Sequence, residues 1–222
     1  MNIYFDTEFT GLVPNTTLIS IGMVTANNRK FYAEFTDFNN DLVDDWVRKN
    51  VIDNLLIDKT DNAGRLKLGI QWSYDNESPT LSRCRFGFCI RKDSYNRMCV
   101  VQGHSGYVAK ELWTWLNQFG AIQLISDVSH YDMTLLCNLF GGAFNLPKNV
   151  NPCCYDINQV IAERFMKEEG MTEYHAMKHA FDLSREEYCL DLIGELPEGE
   201  KHNSLYDAEV IKMIYEQEAY LK

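Results

Sequence analysis

The chain has 222 residues, 45% of them hydrophobic and 24% charged, which suits one good core and excludes a disordered composition. No apolar run approaches the roughly 20 residues needed to span a bilayer. No basic leader precedes the strand pattern that starts near Met1, so neither membrane insertion nor secretion is expected. The net charge of −11 argues, taken alone, against nucleic acid, because binding rests on Lys and Arg meeting phosphates; bound divalent metal, however, inverts the charge of an acidic site.

In chain order, "IYFDTEF" (residues 3–9) reads as a strand, with Ile3, Tyr4, Phe5 and Phe9 of strand-favouring types. Asp6 and Glu8 sit inside it, two residues apart, and therefore share one face. "TGLVPN" breaks the strand. "TLISIGMV" and "KFYAEF" follow as two more strands joined by a hairpin around Asn27–Asn28, which predicts an antiparallel meander. "DDWVRKNVIDNLL" predicts a helix with Trp46, Val47, Val51 and Leu55 near one face. Residues 59–79 are polar and turn-rich.

The next segment, 82–102, alternates, with Cys84, Phe86, Phe88 and Ile90 on one side and Arg83, Arg85 and Arg91 on or near the other; "KDSYNR" is the expected turn of a second hairpin. Between Arg83 and Arg97 the local charge is about +4, five basic residues against Asp93. "YVAKELWTWLNQF" predicts a helix, "AIQLIS" a strand, "HYDMTLLCNLF" a helix, "CYDINQVIAERFMKEEG" a helix closed by Gly170, and "LYDAEVIKMIYEQEAYL" a last helix. The fold class is thus α/β or α+β, a mixed sheet flanked by helices. Seven cysteines are scattered without a C-x-x-C pair, and only Cys153 and Cys154 are adjacent. That pattern fits free thiols in a reducing cytosol better than disulfides or a zinc site, so the expected location is cytoplasmic.

Two further acids stand out. Asp132 shares a helix face with Leu135, Leu136 and Leu139, and Asp207 shares one with Val210, Ile211 and Ile214, so both lean toward the sheet. "SHYD" and "SLYD" also fit the capping box, which would make both acids helix caps. Capping does not account for Asp6 and Glu8. An edge strand with a solvated face would; a hard divalent cation, which removes the mutual repulsion of close carboxylates, would too. His202, five residues before Asp207, lies in a loop at the rim of the same cluster.

"FDTEFTGL", "SHYDMTLL" and "HNSLYDAEV" together resemble the three motifs of the DEDDh class of 3′–5′ exonucleases, the DnaQ-like or ribonuclease T-like group with an RNase H-like fold. "LISIG" at 18–22 and the "WV" helix resemble, more closely, the small bacterial exoribonucleases of that class. The resemblance implies a single exonuclease domain over 1–222, with an insertion at about 65–104. It implies that Asp6, Glu8, Asp132 and Asp207 hold two divalent ions, Mg²⁺ or Mn²⁺, about 4 Å apart, and that His202 is the general base. Asp127 is a second candidate in the middle motif; Asp132 is preferred because it opens the amphipathic helix. Thr7, Phe9 and Thr10 would line the pocket for the terminal nucleotide, although Phe9 departs from the commoner Thr there. The implied substrate is single-stranded nucleic acid with a free 3′ end, RNA favoured, and the product a 5′-mononucleotide; relatives of the class also suggest a homodimer. Apart from the resemblance, the local charge of the 83–97 hairpin fits a basic arm in which Arg83, Arg85 and Arg91 guide substrate phosphates, or equally a solvated hairpin or dimer contact. The alternatives are a DNA or short-oligonucleotide exonuclease, a non-catalytic nucleic-acid-binding protein on the same fold, and an acidic interaction protein whose acids only cap helices.

Overall fold

The computed structural model describes residues 1–58, 67–68, 80–85, 87–92 and 98–221. Its first three strands, β1 (Asn2–Phe9), β2 (Leu18–Thr25) and β3 (Lys30–Phe35), form the expected antiparallel meander. The β2–β3 turn contains Asn28 in a left-handed conformation (φ 62°), which Asn tolerates better than most residues. After helix α1 (Asp45–Asn50) come β4 (Ile57–Asp58), β5 (Lys67–Leu68), β6 (Thr80–Cys84), β7 (Gly87–Lys92) and β8 (Met98–Gly103). Helix α2 (Ser105–Leu116), strand β9 (Gln123–Ser126), helix α3 (Ser129–Leu139) and strand β10 (Tyr155–Asp156) follow. Four helices end the chain: α4 (Ile157–Glu169), α5 (Glu173–Asp182), α6 (Arg185–Ile193) and α7 (Ser204–Tyr220).

The main sheet has the order β10-β9-β1-β2-β3-β8-β7-β6, and β4 pairs with β5 separately. Strand β9 runs parallel to β1, β10 parallel to β9, and β8 parallel to β3. An antiparallel meander continued by parallel strands beside β1 is the mixed α/β sheet that an RNase H-like fold requires. Alternation along β1 divides its side chains between two cores. Ile3 and Phe5 face one layer with Leu112 and Trp115 of α2 and Leu136 of α3. Tyr4 faces the other, with Ile161 of α4, Ala180 of α5 and Ile211 of α7. Asp6 and Glu8 continue the Tyr4 side, toward α7.

Three expectations are corrected. Residues 82–92 are not one alternating strand: the chain reverses after Cys84, which pairs with Gly87, and a separate strand begins there. A Cβ at Gly87 would collide with the Gln102 carbonyl, so this approach needs glycine. The β7–β8 hairpin is present, but residues 93–97 of its turn "KDSYNR" and Phe86 lie outside the described residues, as do nearly all of 59–79. The helix after Asp44 is short and passes into a 3₁₀ turn at Ile52–Asn54; Trp46 is 54% exposed rather than part of the core stripe. Between Gly170 and His202 the chain forms α5 and α6, which the motif reading does not single out. Gly170 closes α4 as expected, with φ 65°. All seven cysteines are free. Among the described residues no helix is long and apolar enough to cross a membrane.

Candidate metal centre

The β1–β2 register sets Asp6 opposite Gly22 and Glu8 opposite Ser20. Helix α7 crosses this part of β2, and its first turn carries Asp207. Glu8, His202 and Asp207 each offer a ligand atom, and the three atoms lie within 4.8 Å of one another. Asp6 joins them along one wall of a cleft of about 320 Å³, whose far side is built by Ser184, Arg185 and Glu186. The carboxylate and imidazole donors converging there can hold a divalent cation, and carboxylate oxygens suit the hard ones.

Asp132 takes a different place. It is 3% exposed and stands behind Thr7 instead of at the cleft surface. Strand β9 pairs only with Asn2–Tyr4 of β1, so the Thr7 N–H extends past the end of that ladder. The Asp132 Oδ1 accepts it at 3.1 Å and accepts the Thr7 hydroxyl at 2.5 Å, while Ser126 donates to Oδ2. A buried donor without a strand partner is satisfied this way, and the strand bearing Asp6 and Glu8 is fixed to α3. The capping-box reading is thereby corrected. The residue preceding α3 is Val128, and Ser129 donates to Asp156. The cap of α7 is Asn203, which accepts from the N–H groups of Leu205 and Tyr206; Ser204 lies inside the helix.

Asp127 is spoken for. Arg185 donates to both of its oxygens, at 2.8 and 2.9 Å. The remaining N–H groups of Arg185 go to Asn158 and to the carbonyls of Ala180 and Leu183, which uses all five guanidinium donors. Val128, between the clamped Asp127 and Ser129, is held at φ 50°, an unfavourable conformation for a β-branched residue.

Burial governs the electrostatics. It raises Asp6 well above the usual carboxylate range, and the charges of Asp132, Asp207, Glu8 and Asp127 push the same way. Glu8 is raised for the same reasons, burial first, then Asp207 and Asp132. Burial lifts Asp132 to about 7 against the opposing hydrogen bonds from Ser126 and Thr7. It lifts Asp207 to about 8, helped by Glu186 and opposed by Lys201 and the His202 N–H. For His202, burial and then the Lys201 charge act downward, below the ordinary 6.5. Four acids that resist ionising without a counter-charge are a donor set prepared for cations.

The other sequence candidates are dispersed. Thr7 faces Asp132. Thr10 is buried and bonds Thr16 and Thr17 across the following turn. Phe9 stacks on Tyr131 at 6.1 Å, beside a groove of about 440 Å³ lined by Leu12, Val13 and Tyr131 among others. Arg91 pairs with Glu111 of α2, and β7 lies four strands from β1 in the sheet, about 19 Å at the usual strand spacing. Arg83 lies in β6 and Arg85 in the turn after it. Two residues near the centre escape the motif reading. Lys201, on the cleft wall, pairs with Glu186, and its place beside His202 was the available signal. Trp46 sets its ring edge-on to His202 at 5.0 Å, which no spacing in the sequence indicates.

No protein-family model matches the chain. Over 164 residues it is 26% identical to a curated protein of Mycobacterium tuberculosis named a 3′–5′ exoribonuclease, a match that covers 74% of this chain and 76% of that protein. The counterpart from a second strain matches equally. Among solved structures it is similar to the catalytic unit (protease and nuclease domain) of Pan2 from Neurospora crassa, at a TM-score of 0.44 and 15% identity, covering 99% of this chain and 27% of that one. In sequence, then, the chain resembles the DEDDh 3′–5′ exonucleases, both by its own motifs and by relatives that carry the exoribonuclease name.

Proposed function

We propose that the protein is a metal-dependent 3′–5′ exonuclease that removes 5′-mononucleotides from single-stranded nucleic acid, RNA in preference to DNA. The observation that carries this reading is the convergence of Glu8, His202 and Asp207, with Asp6 beside them, from the first strand, the last helix and the turn before it. Bound Mg²⁺ or Mn²⁺, two ions in this reading, would supply Lewis acidity at the scissile phosphate and acidify the attacking water.

The chain's residues have separable tasks. Asp6, Glu8 and Asp207 present oxygens to the cleft. Asp132 orients the strand through Thr7 and keeps a lone pair on Oδ2, beyond the one used by Ser126, as the fourth metal-holding acid. His202, kept neutral at pH 7 by its lowered pKa, takes the proton from water on an imidazole nitrogen. The Phe9–Tyr131 stack and the neighbouring groove offer aromatic and aliphatic surface to unpaired bases. The basic hairpin with Arg83, Arg85 and Arg91 steers phosphates from a distance. A triple Ala variant there is expected to flatten the salt dependence of binding; an unchanged slope removes that role.

The deciding experiment follows 3′- and 5′-labelled single-stranded RNA and DNA with Mn²⁺, Mg²⁺ or EDTA. Stepwise 3′ shortening that needs metal and vanishes in Asp6→Ala is expected, faster on RNA. Cleavage in EDTA, or full activity of Asp6→Ala, would remove the proposal.

A further inference from the structure

The segment that follows β3 meets His202 and both of its chain neighbours. Asn54, in the 3₁₀ turn after α1, donates its side-chain amide to the carbonyl of Lys201 at 2.8 Å and to that of Asn50 at 2.7 Å. Its own carbonyl accepts the side-chain amide of Asn203 at 2.8 Å. The residues immediately before and after His202 are therefore tied to the same residue 54. Trp46, from the same segment, sets its ring against the imidazole.

Such a bracket has a reason. His202 sits at φ 62°, a left-handed conformation that a non-glycine residue holds only when its surroundings fix it. Asn203 alone cannot fix it, because its Oδ1 is engaged with the N–H groups that open α7. Its amide reaches Asn54 and, at 3.4 Å, the Tyr32 hydroxyl. Asp6 and Glu8 are positioned by β1, whereas Asp207, carried by α7, also accepts the His202 N–H. The imidazole direction thus depends on a contact that the strand acids do not share.

We propose that Asn54 is a positioning residue for His202, holding the imidazole toward Glu8 and Asp207; this rests on the reading of His202 as the general base. Removing the bracket lets the 201–203 backbone relax from its left-handed turn and swings the ring, while metal and substrate still bind.

The test uses Asn54→Ala and the isosteric Asn54→Asp, which replaces the amide donor without changing size. Turnover on single-stranded RNA with Mn²⁺ is expected to fall about 10- to 100-fold, with KM within about twofold of the parent and Mn²⁺ binding retained. His202→Ala and His202→Ala/Asn54→Ala should be equally slow, since a group that acts only through His202 has nothing left to position. In metal-free protein, the imidazole signals of His202 in long-range ¹H–¹⁵N spectra should move in Asn54→Ala, and those of His130 and His175 should not. Unmoved His202 signals with parental turnover overturn the proposal. So does a double variant slower than His202→Ala by the full Asn54 factor. A His202→Ala enzyme as active as the parent would instead remove the general-base reading, and the imidazole signals then decide alone whether Asn54 fixes the ring.

Discussion

Gly22 of β2 lies directly beneath Ser204, the first residue of α7, so closely that a Cβ at residue 22 would fall well inside contact distance of the Ser204 carbonyl and of Leu205 Cα. Alongside, the Ser20 and Ser204 hydroxyls share a buried hydrogen bond of 2.9 Å. Because Asp6 and Glu8 pair with Gly22 and Ser20, the height of α7 above the sheet sets the gap between Asp207 and the strand acids. Gly22→Ala is expected to cost about 1–3 kcal/mol by overpacking and to weaken Mn²⁺ binding about tenfold or more, by lifting Asp207 away. Thermal melts in EDTA and a Mn²⁺ titration read the two effects separately. Parental Mn²⁺ affinity in a folded Gly22→Ala protein would show that the helix height does not matter.

Clustered acids held above their usual pKa burden the metal-free fold. Asp6→Asn keeps the size of the side chain and removes one charge from the group formed with Asp132, Asp207 and Glu8. In EDTA at pH 8 the variant should be more stable than the parent by about 1–3 kcal/mol. Adding Mn²⁺ should raise the melting temperature of the parent and not that of the variant. A variant less stable than the parent in EDTA would mean that Asp6 is satisfied by partners other than a cation.

The two aspartates of the middle motif should separate in the same assays. Asp127→Asn breaks a clamp between the turn before α3 and the start of α6, whose partner Arg185 is largely buried. A stability loss of about 2–4 kcal/mol is expected, with Mn²⁺ affinity changed less than in Asp132→Asn. Asp132→Asn loses an acceptor for Thr7 or Ser126 and should reduce turnover by about 100-fold. Reversed behaviour of the two variants would reassign the motif acid to Asp127.

Glu34 carries a pH prediction that does not involve the metal. It is 3% exposed, and burial raises it from 4.5 to about 7 despite hydrogen bonds from the Ile57 N–H, the Tyr32 hydroxyl and the Gln102 amide. A carboxyl whose folded pKa is raised is favoured in its protonated form. Its contribution is fully present below pH 4.5 and is lost as pH climbs through 7. The loss is on the order of 3 kcal/mol. Glu34→Gln cannot ionise, so its stability relative to the parent, both in EDTA, should rise between pH 5 and pH 8. A constant difference across that range would show that Glu34 is ionised throughout.

The alternation in "IYFDTEF" made β1 and the shared face of Asp6 and Glu8 legible, because a strand's period of two admits no other arrangement. The faces of Asp132 and Asp207 were legible from helical spacing in the same way: Leu135, Leu136, Val210 and Ile211 are buried beside them. Their hydrogen-bond partners were not. S-x-x-D describes a local cap, but Thr7 offered Asp132 an N–H that only the early end of β9 leaves free, and strand ends are decided by tertiary pairing. The 82–92 stretch misled for a related reason: a reversal at Cys84–Gly87 interrupts an alternation that continues by chance on either side of it. Arg83, Arg85 and Arg91 were grouped by charge alone, and the pairing of Arg91 with Glu111, a residue of α2, was not legible. Trp46 lies inside the six-residue helix, but its ring meets His202 instead of the core stripe that helical spacing gave it.

The bed of α7 on β1 and β2 also fixes when in the life of a chain the acidic centre comes into being. A nascent polypeptide that has left the ribosome up to α6 already contains Asp6, Glu8 and Asp132, yet no Asp207 and no His202 to meet them. The sheet can form and the cleft wall can stand while the centre is still without two of its members. The centre is therefore complete only once residues 202–214 have emerged and settled over Gly22.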